Sequence, residues 1–318
     1  MREQFVPLSD EIFRQNLQRI WNEVEQLAVA GEFLNVEGGS VEQVRDYRLR
    51  LHHCANYAAA FTTFAAAARP MRILELGCGS GILSAAFGRL MPSDWTLFAT
   101  DYSPRLIASA RTRYQVANVR FECININDLK PDFLKNFDAV MFLEVIEHLT
   151  EQEVVTLFSR LYSGLTVGGM VLISTVDRSP FKRQFSGYAP HKIEYRYATL
   201  HDFLNNKEKN PFELVEIFRL TARRIVQEAV RSEDRGGYLL NRLVGLVNRI
   251  TQRQRWLVSS TARLVNFSFR VYDRFMPKKQ FNVEEYLKEV KFITRQPELF
   301  GAESFSLVAI LRKMPDKI

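Results

Sequence analysis

The chain's clearest chemistry sits in Ile73-Leu-Glu-Leu-Gly-Cys-Gly-Ser-Gly81, an apolar run bearing the carboxylate Glu75 and ending in Gly77, Cys78, Gly79 and Gly81. Glycines at this spacing let the backbone turn sharply and approach a ligand that a Cβ would hold away. The dinucleotide fingerprint G-x-G-x-x-G needs its third glycine at 82, where this chain has Ile82, so a pyrophosphate on a helix N-terminus is the poorer fit. Glu75 argues the same way. A carboxylate beside the loop repels phosphates but suits a cofactor with cationic amino and sulfonium groups, as S-adenosylmethionine has.

Further candidates fall at later strand ends. Asp101, 20 residues after Gly81 and followed by Tyr102, is placed to accept ribose hydroxyl hydrogens. Asn125-Ile-Asn-Asp128 offers Asn125, Asn127 and Asp128 to an adenine amino group, although the same residues serve ordinary turns. Glu144-Val-Ile-Glu-His148 is the second constellation. Glu144, Glu147 and His148 can converge on a divalent cation: two carboxylates favour magnesium, and one imidazole also admits manganese or zinc. Such an ion would hold an acceptor hydroxyl and lower its pKa. Alternatively His148 acts alone as general base, and Glu144 is the other catalytic candidate.

The elements that must position these groups follow from periodicity. Apolar residues recur at helical intervals over about 10–30 and 41–67, ahead of alternating strands and helices. Strands are expected at 71–77, 95–101, 119–125, 137–145, 168–176, 212–220 and 305–313, with helices at 82–89, 103–114 and 199–206. A further helix, opened by the capping box Thr150-Glu-Gln-Glu153, is expected to run to about Leu165. Such alternation implies an α/β fold, a mostly parallel sheet with helices on both faces.

On Glu75-Leu-Gly-Cys-Gly-Ser-Gly81, Asp101 and Phe137-Asp-Ala-Val-Met-Phe-Leu-Glu-Val-Ile-Glu-His-Leu149, the stretch from about Arg72 to Val176 resembles the class I S-adenosylmethionine-dependent methyltransferases. The resemblance implies a Rossmann-like, seven-stranded sheet whose last strand, 305–313, is antiparallel. It also implies loop glycines against the methionine part of the cofactor and Leu143 in the adenosine pocket. Ile73–Ala86, Glu144–His148 and Ile173-Ser-Thr-Val-Asp-Arg-Ser-Pro180 look like the ubiquinone-biosynthesis O-methyltransferases, which act on polyprenylated catechols with a divalent ion. The small-RNA 3′-end ribose 2′-O-methyltransferases have a related group plus a later histidine, for which His191 or His201 can stand in. The chain lacks the Gly-Thr-His motif of the quinone enzymes, having Ala198-Thr-Leu-His201.

Of 318 residues 47% are hydrophobic, enough for a sizeable core. The scattered Cys54, Cys78 and Cys123 suggest reduced thiols and a cytoplasmic setting, and the first residues show no apolar signal region. No run of about 18 apolar residues occurs to cross a membrane. The net charge of +7 is local: residues 222–279 hold 13 Lys or Arg against 4 Asp or Glu, an excess of nine that leaves the remainder at −2. There Leu239, Leu243, Leu246, Val247 and Ile250, then Leu264, Phe267, Val271 and Phe275, recur at helical spacing among arginines.

The expected organisation is an N-terminal helical extension (1–69), a methyltransferase core (70–220 and 296–318) and a basic amphipathic helical insertion (221–295) before the last strand. The insertion reads as a lid, as a peripheral membrane contact through 239–276, or as an RNA clamp. Its aromatics, Trp256, Phe267, Phe269, Tyr272 and Phe275, favour an apolar role. The expected function is O-methylation of a small-molecule or lipid-like acceptor. The alternatives are RNA ribose 2′-O-methylation, which the aromatics disfavour, and a non-catalytic scaffold.

Overall fold

The computed structural model describes residues 8–28, 43–67, 69–177, 191–221, 293–295 and 304–315. The chain divides into two units, Met1–Ala222 with Lys291–Ile318, and Arg223–Val290. The expected insertion at 221–295, with its contact at 239–276, lies almost wholly outside the described residues, and the described elements all belong to the first unit.

Two helices come first, α1 (Asp10–Leu27) and α2 (Gln43–Ala65). Ser9 caps α1, its side chain accepting the Ile12 N–H. The alternating elements come next: β1 (Arg72–Leu76), α3 (Ile82–Leu90), β2 (Thr96–Asp101), α4 (Pro104–Arg113), β3 (Val119–Cys123), α5 (Pro131–Leu134) and β4 (Ala139–Leu143). Then come α6 (Glu151–Gly164), β5 (Met170–Val176), α7 (Tyr197–Asn205), β6 (Glu213–Thr221), β7 (Ile293–Thr294) and β8 (Ser304–Arg312). The expected caps form. Ser103 accepts from Leu106 N–H with Pro104 behind it, and Thr150 and Glu153 make a reciprocal capping box.

The sheet order is β3-β2-β1-β4-β5-β8-β6-β7. Strands β1 to β5 pair in parallel, whereas β8 is antiparallel to both β5 and β6. The described strands number eight rather than seven, because the two-residue β7 pairs with the end of β6. Its two residues are too few to show a period in sequence.

All five residues of β4, and all but the last of β5, are buried, the mark of parallel strands covered on both faces. Leu74, Leu76, Val140 and Phe142 pack with Val154, Leu157, Phe158 and Leu161 of α6 and with Leu200 and Leu204 of α7. The other face of β1 carries Glu75, which meets Tyr57 of α2. Helix α1 packs on α2 and α3, and α2 reaches β4 and β8. Strand order reverses at β1 and β4, so a crevice opens at their carboxyl ends, the usual ligand position in such sheets.

Candidate functional site

The loop after β1 is tied to β2. Gly77 and Cys78 both donate backbone N–H to the Thr100 carbonyl, at 2.7 and 2.8 Å, and Gly79 donates to Asp101 Oδ2 at 3.0 Å. All three glycines have left-handed backbones, with φ of 81°, 56° and 79° at 77, 79 and 81. Their surroundings separate them. A Cβ on Gly81 would meet Phe121 at 2.7 Å and Ala110 at 2.8 Å, and one on Gly77 would meet Val145 at 2.6 Å. A Cβ on Gly79 would meet nothing within 4 Å. Gly77 and Gly81 are therefore glycine for packing, and Gly79 alone presents bare backbone to open space.

Asp101 holds this loop and the start of α4 together, its second oxygen accepting Ser103 N–H at 2.9 Å. Burial pushes its carboxyl up from the ordinary value, opposed by the Ser103 and Gly79 N–H groups. Tyr102 is 69% exposed, a ring face ready for a planar partner. Beyond β3, a cleft of about 330 Å³ is lined by Cys123, Ile124, Asn125, Asp128, Leu129, Lys130 and Phe133. Asn125 and Asp128 thus line the expected adenine cleft. Asn127 does not: its N–H caps onto Asn125 Oδ1 and its carbonyl accepts the Arg160 guanidinium. Leu143 is buried at the end of β4.

Glu75 lies deeper than the sequence suggested. It is 1% exposed and accepts the Tyr57 hydroxyl, so it joins the loop to α2 from beneath. Burial raises its pKa to about 7, against the hydrogen bond from Tyr57. Cys78 is buried too, and burial with the nearby Glu75 and Asp101 charges pushes its thiol well up.

Glu144, just beyond β4, is the most heavily hydrogen-bonded of the candidate carboxylates. Its Oε1 accepts Asn56 Nδ2 at 3.0 Å, Ser174 Oγ at 2.9 Å and Ser306 Oγ at 3.0 Å, with His52 Nε2 at 3.3 Å. Burial alone would raise its pKa, but His52, His53 and the Ser174 hydroxyl outweigh it and hold the group at about 2. Its φ of 58° is the one left-handed non-glycine backbone among the described residues, a strain of about 1–2 kcal/mol that surrounding contacts must offset.

Glu144 stays beside Glu147, whose carboxyl its charge perturbs, while its Oε1 is taken up by partners from α2, β5 and β8. Glu147 and His148 ride on the 3₁₀ turn Ile146–His148, and their ligand atoms lie within 4.8 Å of one another and of His191. Among the described residues the three ligand atoms that converge are thus those of Glu147, His148 and His191, with Glu144 of the expected set beside Glu147. Of the two later histidines it is His191 that arrives, its ring 5.0 Å from that of His148. His201 stays on α7 beside Asn205 and Asp202. Glu147 accepts Thr175 Oγ1 at 3.0 Å, and burial with the adjacent Glu144 charge drives its pKa well up.

The sequence reading missed the contribution of α2. His52 and Asn56, one helical turn apart, reach Glu144, and Tyr57 reaches Glu75. Ser174 and Ser306 were missed as well. The available signal was the polar set His52, His53 and Asn56 in the more apolar second half of α2, after its arginine-rich first turns.

Residues 73–169 match a family model described as a methyltransferase domain. A malonyl-[acyl-carrier protein] O-methyltransferase of Bacillus cereus is 30% identical over 124 residues, 39% of this chain and 44% of that protein. A ubiquinone biosynthesis O-methyltransferase of Xanthomonas campestris is 32% identical over 111 residues, 34% of this chain and 44% of that protein. The chain thus spans less than half the length of these curated relatives. Among solved structures, the magnesium protoporphyrin IX methyltransferase of Synechocystis with bound SAM has a TM-score of 0.43 at 16% identity, covering 67% of this chain and 91% of that one. By sequence, residues 73–169 match the methyltransferase domain, and that stretch holds the whole glycine loop, Asp101 and the Glu144–His148 segment.

Proposed function

We propose that this chain is an S-adenosylmethionine-dependent methyltransferase that methylates an oxygen of a small or lipid-like acceptor. The carrying observation is Gly79: a left-handed backbone with open space at its α-carbon, braced by Asp101 at the reversal point of the sheet. The donor set suits this cofactor. Asp101 offers carboxylate oxygens to ribose hydroxyls, Tyr102 a ring face to adenine, and the cleft at Asn125 and Asp128 a polar rim. When bound, the cofactor supplies a methyl group activated by a sulfonium. The chain's own part is to align the acceptor with that methyl group and to keep water out, which needs no dedicated nucleophile. The methyltransferase-domain match and the O-methyltransferase names of the two relatives support the reading.

Calorimetric titration with S-adenosylhomocysteine tests it. Saturable one-to-one binding is expected, with methyl transfer from the labelled donor to an oxygen acceptor. Absence of binding at millimolar ligand contradicts the proposal.

A second reading adds a divalent cation at Glu147, His148 and His191, whose donor atoms already converge. One carboxylate and two imidazoles suit manganese or zinc better than magnesium. Activity that survives dialysis against a chelator would remove this reading.

A further inference from the structure

The loop chemistry concerns the donor and leaves the acceptor's proton unassigned. The Glu144 cluster bears on it through three observations. First, it sits beside the cofactor loop: Val145, the next residue, is the side chain that a Cβ on Gly77 would strike. Helix α2 spans the same edge, touching Glu75 with Tyr57 and Glu144 with His52 and Asn56.

Second, the cluster is ordered around one imidazole. Ser306 Oγ lies 2.6 Å from His52 Nε2 and 3.0 Å from Glu144 Oε1. A hydroxyl has one hydrogen, so the consistent pattern is His52 Nε2–H donating to Ser306 and Ser306 donating to Glu144. A strained, buried carboxylate thus fixes the ring through a serine, while Asn56 and Ser174 fix the carboxylate.

Third, exposure differs within the cluster. Asn56, Ser174 and Ser306 are fully buried, whereas the His52 side chain is 15% exposed. Its stacked neighbour His53, 5.3 Å away, is pushed by burial and by His52 down to about 4 and so stays neutral near neutral pH. It therefore adds no charge against a second proton on His52.

We propose that His52 is the catalytic base that takes the proton of a neutral hydroxyl acceptor, with Glu144 and Ser306 as its positioning residues. This rests on the methyl-transfer reading above. In the step, the acceptor O–H bond breaks and its proton passes to the imidazole. The oxygen's electron pair forms the C–O bond to the methyl carbon, and the C–S pair returns to sulfur. The imidazolium formed beside the Glu144 carboxylate then gives its proton to water. The same carboxylate makes this edge unfavourable for an anionic acceptor, so the substrate class is an alcohol or phenol and not a carboxylic acid.

The test compares the full-length wild type with His52→Ala and His52→Gln, using labelled S-adenosylmethionine with 4-methylcatechol and, separately, with monomethyl malonate. The proposal expects transfer to the catechol only. Both variants should lose at least about 100-fold in kcat, the lower end for a general base, with S-adenosylhomocysteine affinity within twofold of wild type. Added imidazole should restore part of the His52→Ala rate, which a merely structural histidine would not allow. Variants within threefold of wild type, or transfer to the carboxylate instead, overturn the proposal and leave the methyltransferase reading standing. Wild type that does not bind S-adenosylhomocysteine overturns both. In a crystal with S-adenosylhomocysteine, an imidazole walled off from the sulfur overturns the proposal even if the catechol is a poor substrate.

Discussion

The two halves of the crevice are built differently. The half we propose for the methyl donor draws on β1, β2 and β3 and the turns that follow them, residues 75–128, where the candidate groups sit at or just past strand ends. The half we propose for the acceptor draws His52 and Asn56 from α2, Glu144, Glu147 and His148 from beyond β4, Ser174 from β5, His191 from the segment before α7 and Ser306 from β8. Its hydrogen-bonded partners lie up to 254 positions apart in sequence. A cofactor common to many enzymes can be held by a local motif, whereas an acceptor pocket is assembled by tertiary packing.

The sharpest way to break this comparison uses two glycines of the same loop. Gly81→Ala combines a left-handed backbone with overlap on Phe121 and Ala110, so it should cost about 2–4 kcal/mol in urea unfolding. Gly79→Ala meets open space and should lose only the backbone part, about 1–2 kcal/mol, while losing cofactor affinity disproportionately. Equal stability losses, with unchanged affinity for Gly79→Ala, would remove the distinction.

Asp101→Ala is next in size. It should weaken S-adenosylhomocysteine binding at least tenfold, about 1.4 kcal/mol, by calorimetry. Unchanged affinity would refute the ribose assignment.

A last contrast, read as a change in the shape of a pH curve, uses one buried carboxylate from each half. Glu75 is raised to about 7, so the folded state holds its proton more tightly and stability falls as pH rises from about 4.5 to 7. Glu144 is lowered to about 2, so its contribution is present above about 4.5 and disappears as pH falls through 2. Glu75→Gln should flatten the stability curve in the upper window and Glu144→Gln in the lower, in thermal melts across pH. Deviations of the same sign in one window would show that the two environments had been misjudged.

The same division explains what the sequence disclosed. Strand periodicity, the capping box at Thr150 and the glycine spacing are local, so the parallel core and the loop residues are legible directly, whereas the antiparallel final strand follows only from the family resemblance. Glu75 was recognised as important but placed at the ligand, because nothing local shows that Tyr57 covers it. Spacing alone groups Glu144 with Glu147 and His148, and neither its left-handed backbone nor its contacts to His52 and Asn56 of α2 has a sequence signature. His191 was one of two candidates, and only the fold of the chain before α7 selects it. Ser306 becomes a neighbour of His52 because β8 inserts between β5 and β6, a pairing no periodicity encodes.

A crystal structure with S-adenosylhomocysteine bears most directly on the central claim. The account predicts the methionyl end against the Gly79 backbone, the ribose hydroxyls on Asp101 and the adenine beside Tyr102 in the cleft at Asn125 and Asp128. A ligand bound elsewhere, with the Gly79 face bare or closed by a side chain, would contradict it.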